Sequence, residues 1–174
     1  MYLLDANVFI EAHRRYYGID FAPGYWEWLE RGYTTGILAS VEKIFDELKS
    51  GTEQDELLSW AQLHKAMFLP IDQSVQESFR ELTGWVVDPA RGYKQAAKNK
   101  FLKSGDYQLI AFAHAHNHVV VTHEQPAPDS QSNVKIPDAC KALGVKHTNT
   151  FSMLRAEKVR LILASEAKSS LPFS

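Results

Sequence analysis

Two short stretches constrain the fold more than any others: Tyr2-Leu3-Leu4 at the start, and Val119-Val120-Val121 far downstream. Both are apolar on consecutive residues. A strand with one face in water alternates apolar and polar residues, whereas a strand covered on both faces does not. Such strands need helices above and below them.

The intervening chain supplies those helices. Ala6 to Arg15 reads as a helix, and Pro23 suits the first turn of another carrying Tyr25, Trp26, Trp28 and Leu29. Gly36 to Ala39 reads as a second strand, with Ser40 placed to cap a helix running to Gly51. Thr52 and Asp55 form a near capping box for a helix from Glu53 to Ala66. Pro70 makes Phe68 to Ile71 an edge strand. Asp72 caps a helix with Val75, Phe79, Leu82 and Val86 on one face, and Asp88-Pro89 breaks it. A lysine-rich helix, about Ala90 to Leu102, precedes a helix opened by Asp106. Residues 125–135 read as a loop, and Pro137 begins a short helix that Gly144 ends. Val145 to Thr148 is the last strand, and Asn149 or Thr150 caps a final helix to about Leu163.

Strands separated by helices require crossover connections and a parallel sheet. The expected architecture is a three-layer α/β/α sandwich with a central, mostly parallel sheet. Ligands of such folds bind at the carboxyl ends of the strands. A chain of 174 residues, 45% hydrophobic, suits a single domain over 1–164, with 165–174 as a flexible tail.

Composition narrows the classes further. The net charge of −2 means that a nucleic-acid enzyme would need a local basic patch. The single cysteine, Cys140, excludes an internal disulfide and a Cys-rich zinc site, and fits a reducing cytoplasm. Asp5 falls where the apolar segment of a signal peptide would run. No apolar run approaches the roughly 20 residues of a membrane helix.

Both apolar strands end near an acid, Asp5 after the first and Glu124 after the second. Asp106 opens the helix leading into that second strand. Glu47 flanks the apolar stripe of Val41, Ile44, Phe45 and Leu48. All four can reach one rim of the sheet. Like charges about 4 Å apart repel by about 4 kcal/mol at an effective dielectric of 20. Such a cluster is therefore unfavourable unless it binds a divalent cation or keeps protons. Oxygen ligands without sulfur suit Mg²⁺ or Mn²⁺. Taken singly, each acid also reads as a helix cap or turn residue. Glu42 competes with Glu47, although its place in a first turn has a sufficient structural reason.

These residues resemble the PIN-domain family. Met1-Tyr-Leu-Leu-Asp5-Ala-Asn7 resembles its opening strand and D-x-N. Phe45-Asp-Glu47-Leu48, Gly105-Asp106-Tyr-Gln-Leu109-Ile110-Ala111 and Val120-Val121-Thr122-His-Glu124 resemble the next three motifs, in order. The whole chain, including Lys135-Ile-Pro-Asp-Ala-Cys140, also resembles an uncharacterised PIN-like family of the DUF4411 type. The resemblance implies about five parallel strands and Mg²⁺- or Mn²⁺-dependent endoribonuclease activity, leaving 5′-phosphate and 3′-hydroxyl ends. Many such proteins are toxins of toxin–antitoxin pairs. RNA substrate, a cognate antitoxin and a homodimer partner are thus expected, and a membrane is not. Asp5, Glu47, Asp106 and Glu124 would be metal ligands, Asn7 would orient Asp5 or water, and Thr122 would hydrogen-bond within the site. The family's fourth acid is usually Asp, so Glu124 is a departure.

Arg14, Arg91, Lys94, Lys98 and Lys103 are candidate nucleic-acid-binding residues, with Lys100 in the same basic run; a solvated helix face is the plain alternative. His114 and His118 have a zinc pair's spacing, but histidines favoured by a helix C-terminus explain them more simply. Trp26, Trp28, Trp60 and Trp85 suit packing better than base stacking. Two rivals stand beside the nuclease. A haloacid dehalogenase-type phosphatase needs a second Asp where Asn7 stands. A degenerate PIN module would only bind RNA or protein.

Overall fold

The computed structural model describes residues 1–50 and 56–162. Among them, five parallel strands form one sheet in the order β3-β2-β1-β4-β5. They are β1 (Tyr2–Leu4), β2 (Leu38–Val41), β3 (Phe68–Leu69), β4 (Val119–Val121) and β5 (His147–Thr148). β1 is central, with Leu3 paired to Ala39 on one side and Val120 on the other. Leu3, Leu4, Val120 and Val121 are all buried, as strands covered on both faces must be.

The helices are α1 (Ala6–Glu11), α2 (Pro23–Thr34), α3 (Glu42–Lys49), α4 (Glu56–Leu63), α5 (Gln76–Val87), α6 (Gln95–Phe101), α7 (Gly105–His116), α8 (Ile136–Leu143) and α9 (Thr150–Ala156). The molecule is an α/β/α sandwich. Tyr25, Trp26, Leu29 and Gly32 form the buried stripe of α2. Phe9 packs between Trp60 and Phe68, so those rings belong to the core. Among the described residues, no helix is long and apolar enough to cross a membrane.

The chain leaves β1 toward β2 and β3, then crosses back to β4 and β5 on β1's other side. That reversal puts a topological switch point at the carboxyl ends of β1 and β4, where ligands of such folds bind. Asp5 and Thr122 follow immediately after those two strands.

Several boundaries differ from those the residues led us to expect. β2 starts at Leu38 because Gly36, at φ +73°, still belongs to the turn closing α2. Ser40 therefore lies inside β2 and caps nothing: its hydroxyl donates to the Leu4 carbonyl at 2.6 Å, and α3 begins without a side-chain cap. The first helix changes at Ala12 into a π-helical turn that ends at Tyr16. Gly92, left-handed at φ +68°, separates a short turn at Pro89–Arg91 from α6, so the lysine-rich helix is much shorter than its composition implies. The last helix stops at Ala156, since Lys158 adopts φ +55° and Val159 N–H returns to the Leu154 carbonyl. The expected capping box at Thr52–Asp55 and the tail 165–174 lie outside the described residues.

Candidate active site

Asp5 is buried, with 1% of its surface exposed. Its N–H extends the β1–β4 ladder by donating to the Val121 carbonyl at 3.0 Å. Its side chain closes no helix-capping bond, although the nearby Asn7 N–H favours its charged form. Thr122 Oγ1 donates to Asp5 Oδ2 at 3.0 Å and accepts the Glu124 N–H at 3.1 Å. One hydroxyl thus joins the ends of both central strands. Burial pushes Asp5 up to about 7; the Thr122 hydrogen bond opposes this, while Glu124 and Glu47 reinforce it.

Asp106 stands in the first turn of α7, behind the Ser104 cap. Burial raises it to about 8, followed by repulsion from Asp5, Glu47 and Glu124, with Lys135 opposing. Among the described residues, no hydrogen bond relieves its charge. The first acid of the chain and the last acid before β4 therefore feel each other, and both feel the two glutamates.

Glu47 is fixed by the start of α7: its Oε1 accepts the Gly105 N–H at 2.6 Å. A Cβ on Gly105 would sit 2.5 Å from Ile44 Cδ1 and 3.0 Å from Glu47 Oε2. A side chain at this position would force the ends of the Ile44 and Glu47 side chains to shift. Glu42 is exposed and is absent from the charges acting on Asp5 and Asp106.

Glu124 has both oxygens engaged. Lys135 Nζ donates to Oε1 at 2.8 Å and the Ile136 N–H donates to Oε2 at 2.8 Å. It thereby ties the loop after β4 to the start of α8. Lys135, Ser40 and Gly105 are the positions that reading the residues did not single out for roles at this rim. The only local sign for Lys135 was its place just before the helix start at Ile136-Pro137.

The Asn7 side chain is exposed, so what reaches Asp5 is its backbone N–H. Arg91 stacks over Trp85 at 5.4 Å, and Lys98 Nζ donates to the Val87 carbonyl at 3.2 Å. Lys94 and Lys103 are exposed, as is Arg14 on the π-helical turn. Lys100 alone of the basic run lines a cleft with Asp106 and Glu124. His114 faces Ser78, and His116 faces Asp72 at 2.9 Å. His123 turns from Glu124 to Thr150 Oγ1. Cys140 is buried, and that burial pushes its thiol up to about 12.

Among the described residues, no three Asp, Glu, His or Cys side chains stand in a ready metal-binding arrangement. The donor chemistry of the rim nevertheless fits a hard cation. It consists of carboxylate oxygens, burial raises two of the acids well above the ordinary carboxylate range, and each oxygen held by an N–H keeps a further lone pair.

Fold and rim together define an α/β protein with a carboxylate cluster at its topological switch point. The chain belongs to the family described as a domain of unknown function, DUF4411, whose profile matches residues 2–161. That span contains all four acids and Lys135. No curated protein and no solved structure matches the chain.

Proposed function

We propose that this protein is a PIN-type endoribonuclease, dependent on Mg²⁺ or Mn²⁺, acting in the cytoplasm as the toxin of a toxin–antitoxin pair. The observation that carries the enzymatic part is that Asp5 and Asp106, at the switch point, are both pushed up chiefly by burial and further by the charges of Glu47 and Glu124. The ordered PIN-like motifs supply the reaction class, and the toxin role follows from that resemblance alone. A purely structural rim would not gather four acids where, among the described residues, Lys135 is the one basic side chain acting on Asp106.

Asp5, Asp106 and the remaining lone pairs of Glu47 and Glu124 would hold the ion. When bound, such an ion supplies positive charge against a phosphate and makes water more acidic. The chain's own part is preorganisation. Thr122 fixes the Asp5 carboxylate, Gly105 N–H fixes Glu47, and Lys135 with Ile136 N–H fixes Glu124. Asp5 is shielded from bulk water, which strengthens its interaction with a cation.

The test is Mn²⁺-dependent cleavage of single-stranded RNA by wild type and Asp5→Asn, with Mn²⁺ binding followed by calorimetry. Loss of both binding and cleavage in a folded Asp5→Asn variant is expected; unchanged cleavage would refute the assignment. One observation favours a second reading, an inactive PIN module: both Glu124 oxygens are already engaged. Wild-type protein that binds RNA but shows no response to Mn²⁺ would establish that reading instead.

A further inference from the structure

Glu124 does more than close its own hydrogen bonds. Its Oε1 holds the Lys135 ammonium at 2.8 Å, and its Oε2 is pinned by the Ile136 N–H. The lysine is thus anchored by a carboxylate that is itself anchored. The pair is half-buried, with side-chain exposures of 32% for Lys135 and 19% for Glu124. Lys135 lines a cleft of about 110 Å³ that also contains Asp106, Lys100, Ser132 and Asn133. An ammonium has three N–H donors, and Glu124 uses one.

A lysine already held in one rotamer loses less freedom on binding than a solvated one. A second lysine, Lys100, reaches the same cleft from α6, and the Ser132 hydroxyl and Asn133 amide add neutral donors. Two ammonium groups with hydroxyl and amide donors match a phosphodiester oxyanion. Asp106 on the wall places that anion directly beside the acidic rim.

We propose that Lys135, positioned by Glu124 and aided by Lys100, binds a backbone phosphate of single-stranded RNA in this cleft. The identity of the ligand rests on the nuclease reading. Beyond the lone pairs it would offer an ion, Glu124 acts here through Lys135 as a positioning residue.

The probe is a short, fluorescently labelled single-stranded RNA, titrated with the full chain in EDTA at several KCl concentrations. Anisotropy then reads binding where no metal-dependent cleavage occurs. Lys135→Met should weaken affinity roughly 3- to 10-fold and reduce the slope of log K against log salt by about 0.7, the value for one contact on a single strand. Lys135→Arg should keep the slope. Glu124→Gln, which retains an acceptor for Ile136 N–H, should lose part of it. Lys146→Met, exposed and preceding β5 at the opposite end of the strands, should match wild type. Thermal melts of each variant separate lost binding from lost folding. The proposal is overturned if wild type does not bind, or if folded Lys135→Met and Lys135→Arg both keep the wild-type affinity and slope. Should Mn²⁺-dependent cleavage persist in that case, the nuclease reading survives without this subsite. A lost slope in a protein that cleaves nothing would keep the subsite and remove the nuclease.

Discussion

Thr122 Oγ1 lies 3.0 Å from Asp5 Oδ2, joining residues 117 positions apart in sequence. The contact exists because β1 and β4 pair in parallel with Leu4 opposite Val121, which sets the next residue of each strand side by side. The same oxygen accepts the Glu124 N–H, so it orients two of the four acids. Thr122→Val keeps the shape and removes both bonds. It should destabilise the protein by about 1–3 kcal/mol, the cost of leaving buried polar groups unpaired, and Thr122→Ser should restore most of it. Urea denaturation measures both.

The pH dependence of the metal-free protein has a defined sign. Asp5 and Asp106 ionise near 3.8 when unfolded, but burial pushes them up to about 7 and about 8 when folded. At pH values below 3.8 both states keep these protons, and the folded state carries no penalty. As pH rises from about 4 toward about 8, the unfolded chain releases its protons first and stability falls. Melting in EDTA should therefore drop across this window. Asp5→Asn and Asp106→Asn should each melt higher than wild type at the alkaline end, and Mn²⁺ should flatten the wild-type curve. A wild-type curve that rises over the same window would contradict this account of the buried acids.

Gly105 is a steric keystone between α3 and α7. Gly105→Ala drives a methyl group against Ile44 and the Glu47 carboxylate. Both contacts are side-chain ends that can shift, so the overpacking penalty should stay near the low end, about 1 kcal/mol. The displaced Glu47 should also weaken Mn²⁺ affinity, which calorimetry on the folded variant will register.

Glu42 and Glu47 share α3, but only Glu47 acts electrostatically on Asp5 and Asp106. Glu47→Gln retains an acceptor for Gly105 N–H and loses the charge. It should lower Mn²⁺ affinity by roughly 10- to 100-fold, a loss typical of disturbed metal-site shells. Glu42→Gln should leave affinity unchanged. Equal effects of the two substitutions would dissolve the distinction.

The sequence by itself determined the layered α/β plan. Tyr2–Leu4 and Val119–Val121 carry enough consecutive apolar side chains that only a strand covered on both faces accommodates them. It also marked Asp5, Asp106 and Glu124 as acids near a strand end or helix start, and Glu47 as an acid on the flank of an apolar helical stripe. Tertiary structure decided the rest. Ser40 carries the local signature of a helix cap, yet its hydroxyl serves the Leu4 carbonyl of the neighbouring strand. Lys135 looks like any loop lysine until the turn after β4 brings Glu124 within 2.8 Å of it. The lysine-rich run reads as one basic face, but Gly92 interrupts the helix, and Lys100 is the member of that run lining the cleft. Periodicity records how each segment meets the core. It holds no information about which distant side chain a hydroxyl or an ammonium will meet, because that depends on strand order and register.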